Sequence, residues 1–441
     1  MKNKALVLLK IAIVLCSVLL VATLPAIAAE QTMQRASASE VTTTSEDDFV
    51  LGIYGNANED DTIDMRDLTY VKLIFFGKKP ETELADAKYD GKINPLDFVQ
   101  IKLIIVGKEK EITLIDAADR IVTVSMPVKR ICTQYEAAAG AIRSLGGKER
   151  IVGVGNWLAT KRAAYYPELS KRPVVGGWAG PDIEKMLELK TEVVITYPMY
   201  GYKDRIEDTG IKVVCFLFGN PEIIKGEVKK LGYLLNERET AVEYIKWYEG
   251  IMSEIEEKTA KISEENKPRV FLDTTYMLGS TDRSTVAKGT GLHWICIKAG
   301  GINIAADIIG KKYPKYPKVS AEWVLVENPD IIVGESYKGG YTTDDITELK
   351  EMYDDITGLF NATEAVKNNK VYIMSGDVRW GLQVPIAVAY MAKWFHPAFF
   401  DDLTIQRIQE MNQEFIDRFC PGLEFDVTEH GAFVYPAELK E

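Results

Sequence analysis

The segment ERETAVEYIKWYEGIMSEIEEKTAKISEE, from Glu237 to Glu265, decides the fold. Ile245, Tyr248, Ile251 or Met252, Ile255 and Ile262 recur along one face at helical spacing. Its roughly 29 residues would span about 43 Å as one helix, and Pro268 stops it. On each side, short apolar runs alternate with helix-period segments. Before it lie Arg130-Ile-Cys132, Ile151-Val-Gly-Val154, Val193-Val-Ile195 and Val213-Val-Cys-Phe216; after it lie Val270-Phe-Leu272, Ile331-Ile-Val333 and Val371-Tyr-Ile373. Such alternation predicts mainly parallel sheets. The expectation is two α/β lobes of Rossmann type, residues 111–236 and 267–441, joined by one helix over 237–266. A hairpin, Ile112 to Asp116 with Ile121 to Val124, opens the first lobe.

Composition narrows the function. The chain has 441 residues, 53 Lys+Arg and 65 Asp+Glu, for a net charge of -12. That balance argues against nucleic-acid backbones as partners. Lys2, Lys4 and Lys10 lead into an apolar run from Ile11 to Ala29 with a small-x-small site at Ala26-Ile-Ala28, so residues 1–29 read as an export signal, cleaved or retained as an anchor. Residues 30–49, rich in Ser, Thr and Glu, read as a flexible tether. The rest of the chain is therefore expected outside the cytoplasm, secreted, periplasmic or at the cell surface. Cys132, Cys215, Cys296 and Cys420 are far apart and read as buried thiols, with one disulfide left open. His293 and His396 read as packing or capping residues. A sequon stands at Asn361-Ala-Thr363.

Between the tether and the first lobe, residues 50–110 hold a repeat with an offset of 30 residues. Asn56, Asn58, Asp60, Thr62, Asp64 and Asp67 fall at loop positions 1, 3, 5, 7, 9 and 12; Asp86, Lys88, Asp90, Lys92, Asn94 and Asp97 do so in the second copy. Oxygen donors at that spacing wrap a hard cation. Apolar helices are expected over Leu68 to Phe76 and Phe98 to Val106, with Gly77 and Gly107 as stops. Asp61 stands at position 6, where a left-handed residue is expected. The segment resembles a dockerin, a small all-α calcium module that docks on cohesin domains. The resemblance implies Ca2+ on Asn56, Asn58, Asp60, Thr62 (carbonyl), Asp64 and Asp67, and on Asp86, Asp90, Lys92 (carbonyl), Asn94 and Asp97. The first loop is expected to bind and the second to be weak, because Lys88 repels calcium. It also implies cohesin recognition by Met65, Arg66, Pro95 and Leu96.

The body resembles the class III periplasmic binding proteins of ABC importers. The motifs are Ile115-Asp-Ala-Ala-Asp-Arg120 to Ile131, Leu145-Gly146, Pro181-Asp-Ile-Glu184, Leu189 to Ile195, Ala299-Gly-Gly-Ile-Asn303, Val319-Ser-Ala-Glu322, Asn328-Pro-Asp330 and Ala392-Lys-Trp-Phe-His-Pro397. The resemblance implies a ligand between the lobes, at loops after strand ends. Tyr135, Trp157, Trp178, Tyr197, Tyr200, Tyr276, Trp294, Tyr337, Arg379 and Trp380 occupy such loops, as does Tyr202. Aromatic faces with one Arg suit a large, partly apolar anion, so a ferric-siderophore-type complex is expected, with cobalamin or haem as rivals. Glu184 and Glu322 match the family's permease-docking carboxylates. The implied protein is a monomeric binder working with permease subunits, with no catalytic cofactor and no enzymatic activity. A dockerin-bearing secreted hydrolase and a scaffold or adhesion protein stay open as alternatives; no GxSxG, HExxH or P-loop is present.

Overall fold

The computed structural model describes residues 49–436, so the export signal and all but the end of the tether lie outside the described residues. The described chain divides into two compact units, Tyr54–Lys108 and Leu51–Ile53 with Glu109 onward.

In the small unit two helices, α1 (Met65–Phe75) and α2 (Pro95–Ile105), bury Leu68, Val71 and Ile74, and Ile101 and Ile104. Each begins three residues earlier than the apolar pattern alone predicts. Asp64 and Asn94 cap them, accepting from the backbone N–H of Arg66 and Leu96, while Asp67 and Asp97 reach back to the cap N–H at 2.7 Å. Such reciprocal boxes satisfy otherwise orphaned donors and fix the first turn. Gly77 and Gly107 end the helices with φ +66° and +65°. The left-handed residue of the first loop is Glu59, φ +58°, rather than Asp61; in the second loop Tyr89 and Gly91 both have positive φ. Both loops share one turn bond, Thr62 N–H to Asp60 and Lys92 N–H to Asp90, and in the second Gly91 also donates its N–H to Asp86 at 2.7 Å.

The large unit opens with the expected antiparallel hairpin, β1 (Glu111–Ile115) with β2 (Ile121–Ser125). The first lobe is a parallel sheet ordered β4-β3-β7-β8, built from β3 (Ile131–Thr133), β4 (Ile151–Val154), β7 (Val193–Thr196) and β8 (Lys212–Cys215). Around it lie α3 (Glu136–Ser144), α4 (Asn156–Lys161), a ribbon of β5 (Gly176–Gly177) and β6 (Gly180–Pro181), α5 (Ile183–Glu188), α6 (Lys203–Glu207) and α7 (Ile224–Leu235).

Asn236, at φ +54°, turns the chain into α8 (Arg238–Thr259). This interlobe helix has 22 residues, shorter than the sequence pattern suggests. Beyond Thr259 the chain tightens: Lys261 and Ile262 donate to the carbonyls three residues back, and a 3-10 turn over Glu264–Asn266 leads to Pro268. Ile262 stays buried although it lies past the helix.

The second lobe holds β9 (Arg269–Asp273), β10 (Asp282–Ser284), α9 (Gly291–Lys298), β11 (Ile302–Asn303), β12 (Lys318–Ser320), α10 (Ala321–Glu327), β13 (Ile331–Ser336), α11 (Thr347–Leu359), α12 (Glu364–Lys367), β14 (Val371–Ser375), α13 (Val384–Phe395), α14 (Ile405–Phe419) and β15 (Val434–Tyr435). Its main sheet is ordered β11-β9-β13-β14-β15, parallel except for β15. The apolar centres of its strands, Val270–Leu272, Ile331–Val333 and Val371–Met374, suit burial on both faces.

Arg283 and Asp273 are both fully buried and paired at 2.6 Å, with Asp355 at 2.8 Å on the same guanidinium. They tie the end of β9 to β10 and α11. Asp273→Ala leaves that guanidinium short of one carboxylate inside the lobe and is expected to cost about 3–5 kcal/mol in urea unfolding. The Asp273→Leu/Arg283→Met double variant is expected to lose less.

Candidate functional site

Three strands of the first lobe deliver aromatic side chains to one place. Tyr135 follows β3, Tyr197 follows β7 and Phe218 follows β8. The Tyr135 hydroxyl donates to the Phe218 carbonyl at 3.1 Å, and its ring lies 5.2 Å from Tyr197 and 6.4 Å from Phe218. Tyr200 packs 5.7 Å from Tyr197. Burial pushes the Tyr135 and Tyr197 phenols well above their usual range and Tyr200 to about 12. All three therefore stay neutral.

The second lobe answers from its own strand ends. Tyr337 follows β13, and Arg379 and Trp380 follow the 3-10 turn Gly376–Val378 after β14. Tyr337 lies 5.0 Å from Trp380 and 6.5 Å from Tyr276, which follows β9. Tyr316, in the loop before β12, meets Tyr197 of the opposite lobe hydroxyl to hydroxyl at 3.2 Å. Gly219, φ +82°, lets the first lobe approach: a Cβ there would meet the Arg379 carbonyl at 2.5 Å.

Glu335, the penultimate residue of β13, is the charged centre of this floor and 1% exposed. Its Oε1 accepts from Arg379 Nε at 2.8 Å, from Arg379 Nη2 and from the Trp380 indole N–H at 2.5 Å. Burial alone would lower the Arg379 pKa, but Glu335 more than offsets it and the guanidinium is raised. The second oxygen, Oε2, is buried with no hydrogen-bond partner among the described residues. Such a group is costly unless something donates to it. Beside this floor, Arg162 of the first lobe donates to Glu136 at 2.5 Å and to Asp377 of the second lobe at 3.0 Å. A small cavity of about 20 Å³, room for a single water, adjoins them, lined by Glu136, Arg162, Tyr165, Asp377, Trp380 and Gln383.

Seven of the residues expected in the cleft thus gather: Tyr135, Tyr197, Tyr200, Tyr276, Tyr337, Arg379 and Trp380. The other residues do not join them. Trp157 stands in the first turn of α4, half-exposed, and Trp178 at the tip of the β5–β6 ribbon, 66% exposed. Trp294 sits in α9, its ring against His293 at 5.2 Å. Tyr202 is buried behind Tyr200, with its ring 5.5 Å from that of Tyr200 and its hydroxyl 3.1 Å from that of Thr196. Glu335, Tyr316 and Phe218 escaped sequence reasoning. A carboxylate closing the apolar run Ile331-Ile-Val-Gly-Glu335 was the one available signal.

The small unit carries two loops with oxygen side chains at cation-binding spacing. In the first loop, Asp67 is fully buried and its carboxyl is pushed up to about 6, by burial first, with Asp60 and Asp64 adding. A carboxylate in that state accommodates a cation, and the all-oxygen donor set suits a hard one. Arg66 meanwhile reaches Asp60 and Asp64 at 3.0 Å each. Asp97 of the second loop is likewise raised by burial, and Lys88 donates its backbone N–H to it at 2.9 Å. Among the described residues no group of three or more His, Cys, Asp or Glu stands at metal-binding spacing. Met65 and Leu96 are exposed.

The sequence model of a family described as periplasmic binding protein matches residues 131–378, more than half of the chain. The chain belongs to the periplasmic binding protein family. The family is one of solute-binding proteins rather than enzymes. A cobalamin-binding protein of Halobacterium salinarum is 27% identical over 230 residues, covering 49% of this chain and 56% of that protein; the chain thus spans little more than half of that relative's length. An uncharacterized ABC transporter substrate-binding lipoprotein of Bacillus subtilis is 24% identical over 299 residues, 65% of this chain and 86% of the relative. Among solved structures, a TroA-like periplasmic binding protein of Veillonella parvula matches with a TM-score of 0.59 at 22% identity, over 73% of this chain and 98% of that one. That likeness establishes the fold.

On this binding protein Glu184 and Glu322 occupy matching places. Each is the exposed second residue of a short helix, α5 capped by Asp182 and α10 capped by Ser320, one in each lobe. All four described cysteines are free, buried thiols. Asn361 is exposed. Among the described residues no helix is long and apolar enough to cross a membrane.

His293 and His396 are buried; His396 Nε2 lies 3.0 Å from the Gly300 carbonyl oxygen, and His293 Nδ1 lies 3.3 Å from Asn303. Burial lowers both pKa values. The unfolded chain then binds protons that the folded lobe refuses, so stability present above about 6.5 is lost as pH falls. Thermal scans between pH 7.5 and 5 are expected to show a falling Tm, and His396→Gln is expected to flatten that slope.

Proposed function

We propose that the protein is the extracytoplasmic substrate-binding component of an ABC importer, taking a corrinoid-type macrocycle between its lobes. The aromatic floor, with its charges matched, is the observation that carries the ligand class. It suits a broad, near-neutral body that packs on the ring faces, as a corrinoid does. Charge points the same way. Arg379 and Arg162 are offset by Glu335, Glu136 and Asp377, so the floor holds no surplus cation for a highly anionic complex. Neutral, raised-pKa tyrosines are poor axial ligands for ferric haem. The cobalamin-binding name of the Halobacterium relative adds weight. A ferric-siderophore-type complex is the second reading, favoured by Arg379 among aromatic rings.

Delivery would use Glu184 and Glu322 as paired contacts for basic residues of the permease. Such pairs fix orientation and encounter more than affinity. The dockerin-like unit would hold Ca2+ in its first loop, through Asn56, Asn58, Asp60, the Thr62 carbonyl, Asp64 and Asp67, and more weakly in the second. So loaded, it would tether the receptor to a cohesin-bearing surface protein through Met65, Arg66, Pro95 and Leu96.

Two measurements test this. Cobinamide is expected to quench tryptophan fluorescence one-to-one, and Trp380→Ala to weaken it about tenfold through lost stacking and a freed Glu335. Quenching by ferric hydroxamates alone, or by nothing among corrinoids, ferric chelates and haem, overturns the ligand class. Calorimetry with calcium is expected to find one tight site that Asp67→Asn abolishes and Asp97→Asn spares; no heat in the wild type removes the calcium reading. Pulldown of a cohesin domain is expected with calcium and not with chelator.

A further inference from the structure

A strongly basic stretch lies in the second lobe. From Arg283 to Ala321 there are seven Lys and Arg against one acid, Asp307, in a chain whose net charge is -12. Arg283 and Lys298 are matched by Asp273 and Asp355, and by Glu222 and Glu256. Lys288, Lys311, Lys312, Lys315 and Lys318 are exposed, and among the described residues none has a carboxylate within ion-pair distance. Four of them fall in the run Lys311-Lys-Tyr-Pro-Lys-Tyr-Pro-Lys318.

That run is ordered. Gly310 donates to the Pro314 carbonyl at 3.0 Å and Tyr316 to that of Tyr313 at 2.9 Å, closing a tight turn. A Cβ at Gly310 would meet the Tyr313 carbonyl at 2.2 Å. Ala287 and Thr285 donate to the Lys315 and Pro317 carbonyls at 2.9 and 3.0 Å, pinning the turn to the strand beside it. The Lys315 ammonium lies 3.5 Å from the Gly289 carbonyl, and Lys312 rides 5.2 Å over the Tyr313 ring. The turn is also at the ligand cleft, because Tyr316 belongs to it and touches Tyr197 across the mouth.

A charge-balanced floor with fixed, unmatched ammonium groups at its edge describes a ligand with a neutral body and an anionic arm. We propose that the Lys311–Lys315 turn is a second subsite, which selects a corrinoid carrying a phosphodiester arm over one without it. Lys311, Lys312 and Lys315 would meet the phosphate from solvent, as point charges on a preformed turn. The inference rests on the corrinoid reading above.

The test compares cyanocobalamin, which has the phosphodiester, with cobinamide, which lacks it, on the full chain. Wild type is expected to bind cobalamin more tightly at 50 mM salt and to lose that advantage at 500 mM, since exposed charges are screened there. The triple variant Lys311→Gln/Lys312→Gln/Lys315→Gln is expected to weaken cobalamin about tenfold and leave cobinamide within twofold, with Tm unchanged because all three side chains face solvent. Equal effects on the two ligands, or none on either, overturn the subsite while the corrinoid reading stands. Failure of wild type to bind either corrinoid overturns both.

Discussion

Two buried tyrosine hydroxyls, one helical turn apart on α8, grip different lobes. Tyr244 donates to the Leu382 carbonyl of the second lobe at 2.8 Å, and Tyr248 to the Pro221 carbonyl of the first at 2.9 Å. Trp247, between them, packs on Phe415 and Phe419 of α14. The helix is thus anchored to both bodies it connects. Together with Arg162, which spans to Asp377, these contacts set the separation at which the aromatic floor is assembled. Ordered hydroxyl and ion-pair contacts in a low-dielectric interior resist large displacement, since each broken one leaves a buried polar group bare. Wide domain swinging does not fit such a scaffold; small rocking does.

Much of the architecture was legible in the sequence. Continuous apolar runs of Val and Ile gave β7, β8, β9 and β14 within a residue or two, because a strand buried on both faces needs no other signal; β13 runs three residues past its apolar run, to Ser336. Helix ends were less so. α8 stops at Thr259 although Ile262 keeps the helical spacing, since a buried side chain is compatible with a 3-10 turn as well as with another helical one. α1 and α2 start early because capping by Asp64 and Asn94 outweighs the position of the first large apolar residue.

The floor was only half legible, for a topological reason. The loops after β3, β7 and β8 bring Tyr135, Tyr197 and Phe218 together because those three strands are consecutive neighbours in the sheet, an order that no local motif announces. The strand order of a parallel sheet is not written locally. Arg379 was visible as a lone cation in a Gly-flanked loop, but its partner Glu335 lies 44 residues away and is joined to it only by the pairing of β13 with β14.

Tyr197 and Tyr316 meet across the cleft hydroxyl to hydroxyl, an exposed neutral contact. A hydrogen bond of that kind has a net worth of about 0.5–1.5 kcal/mol. At thermal energy it is broken for roughly a tenth to a third of the time. It is therefore a weak link beside the buried Arg162–Asp377 pair. The edge of the cleft opens at Tyr316 while the α8 anchors and the buried Arg162–Asp377 pair keep the two lobes in place.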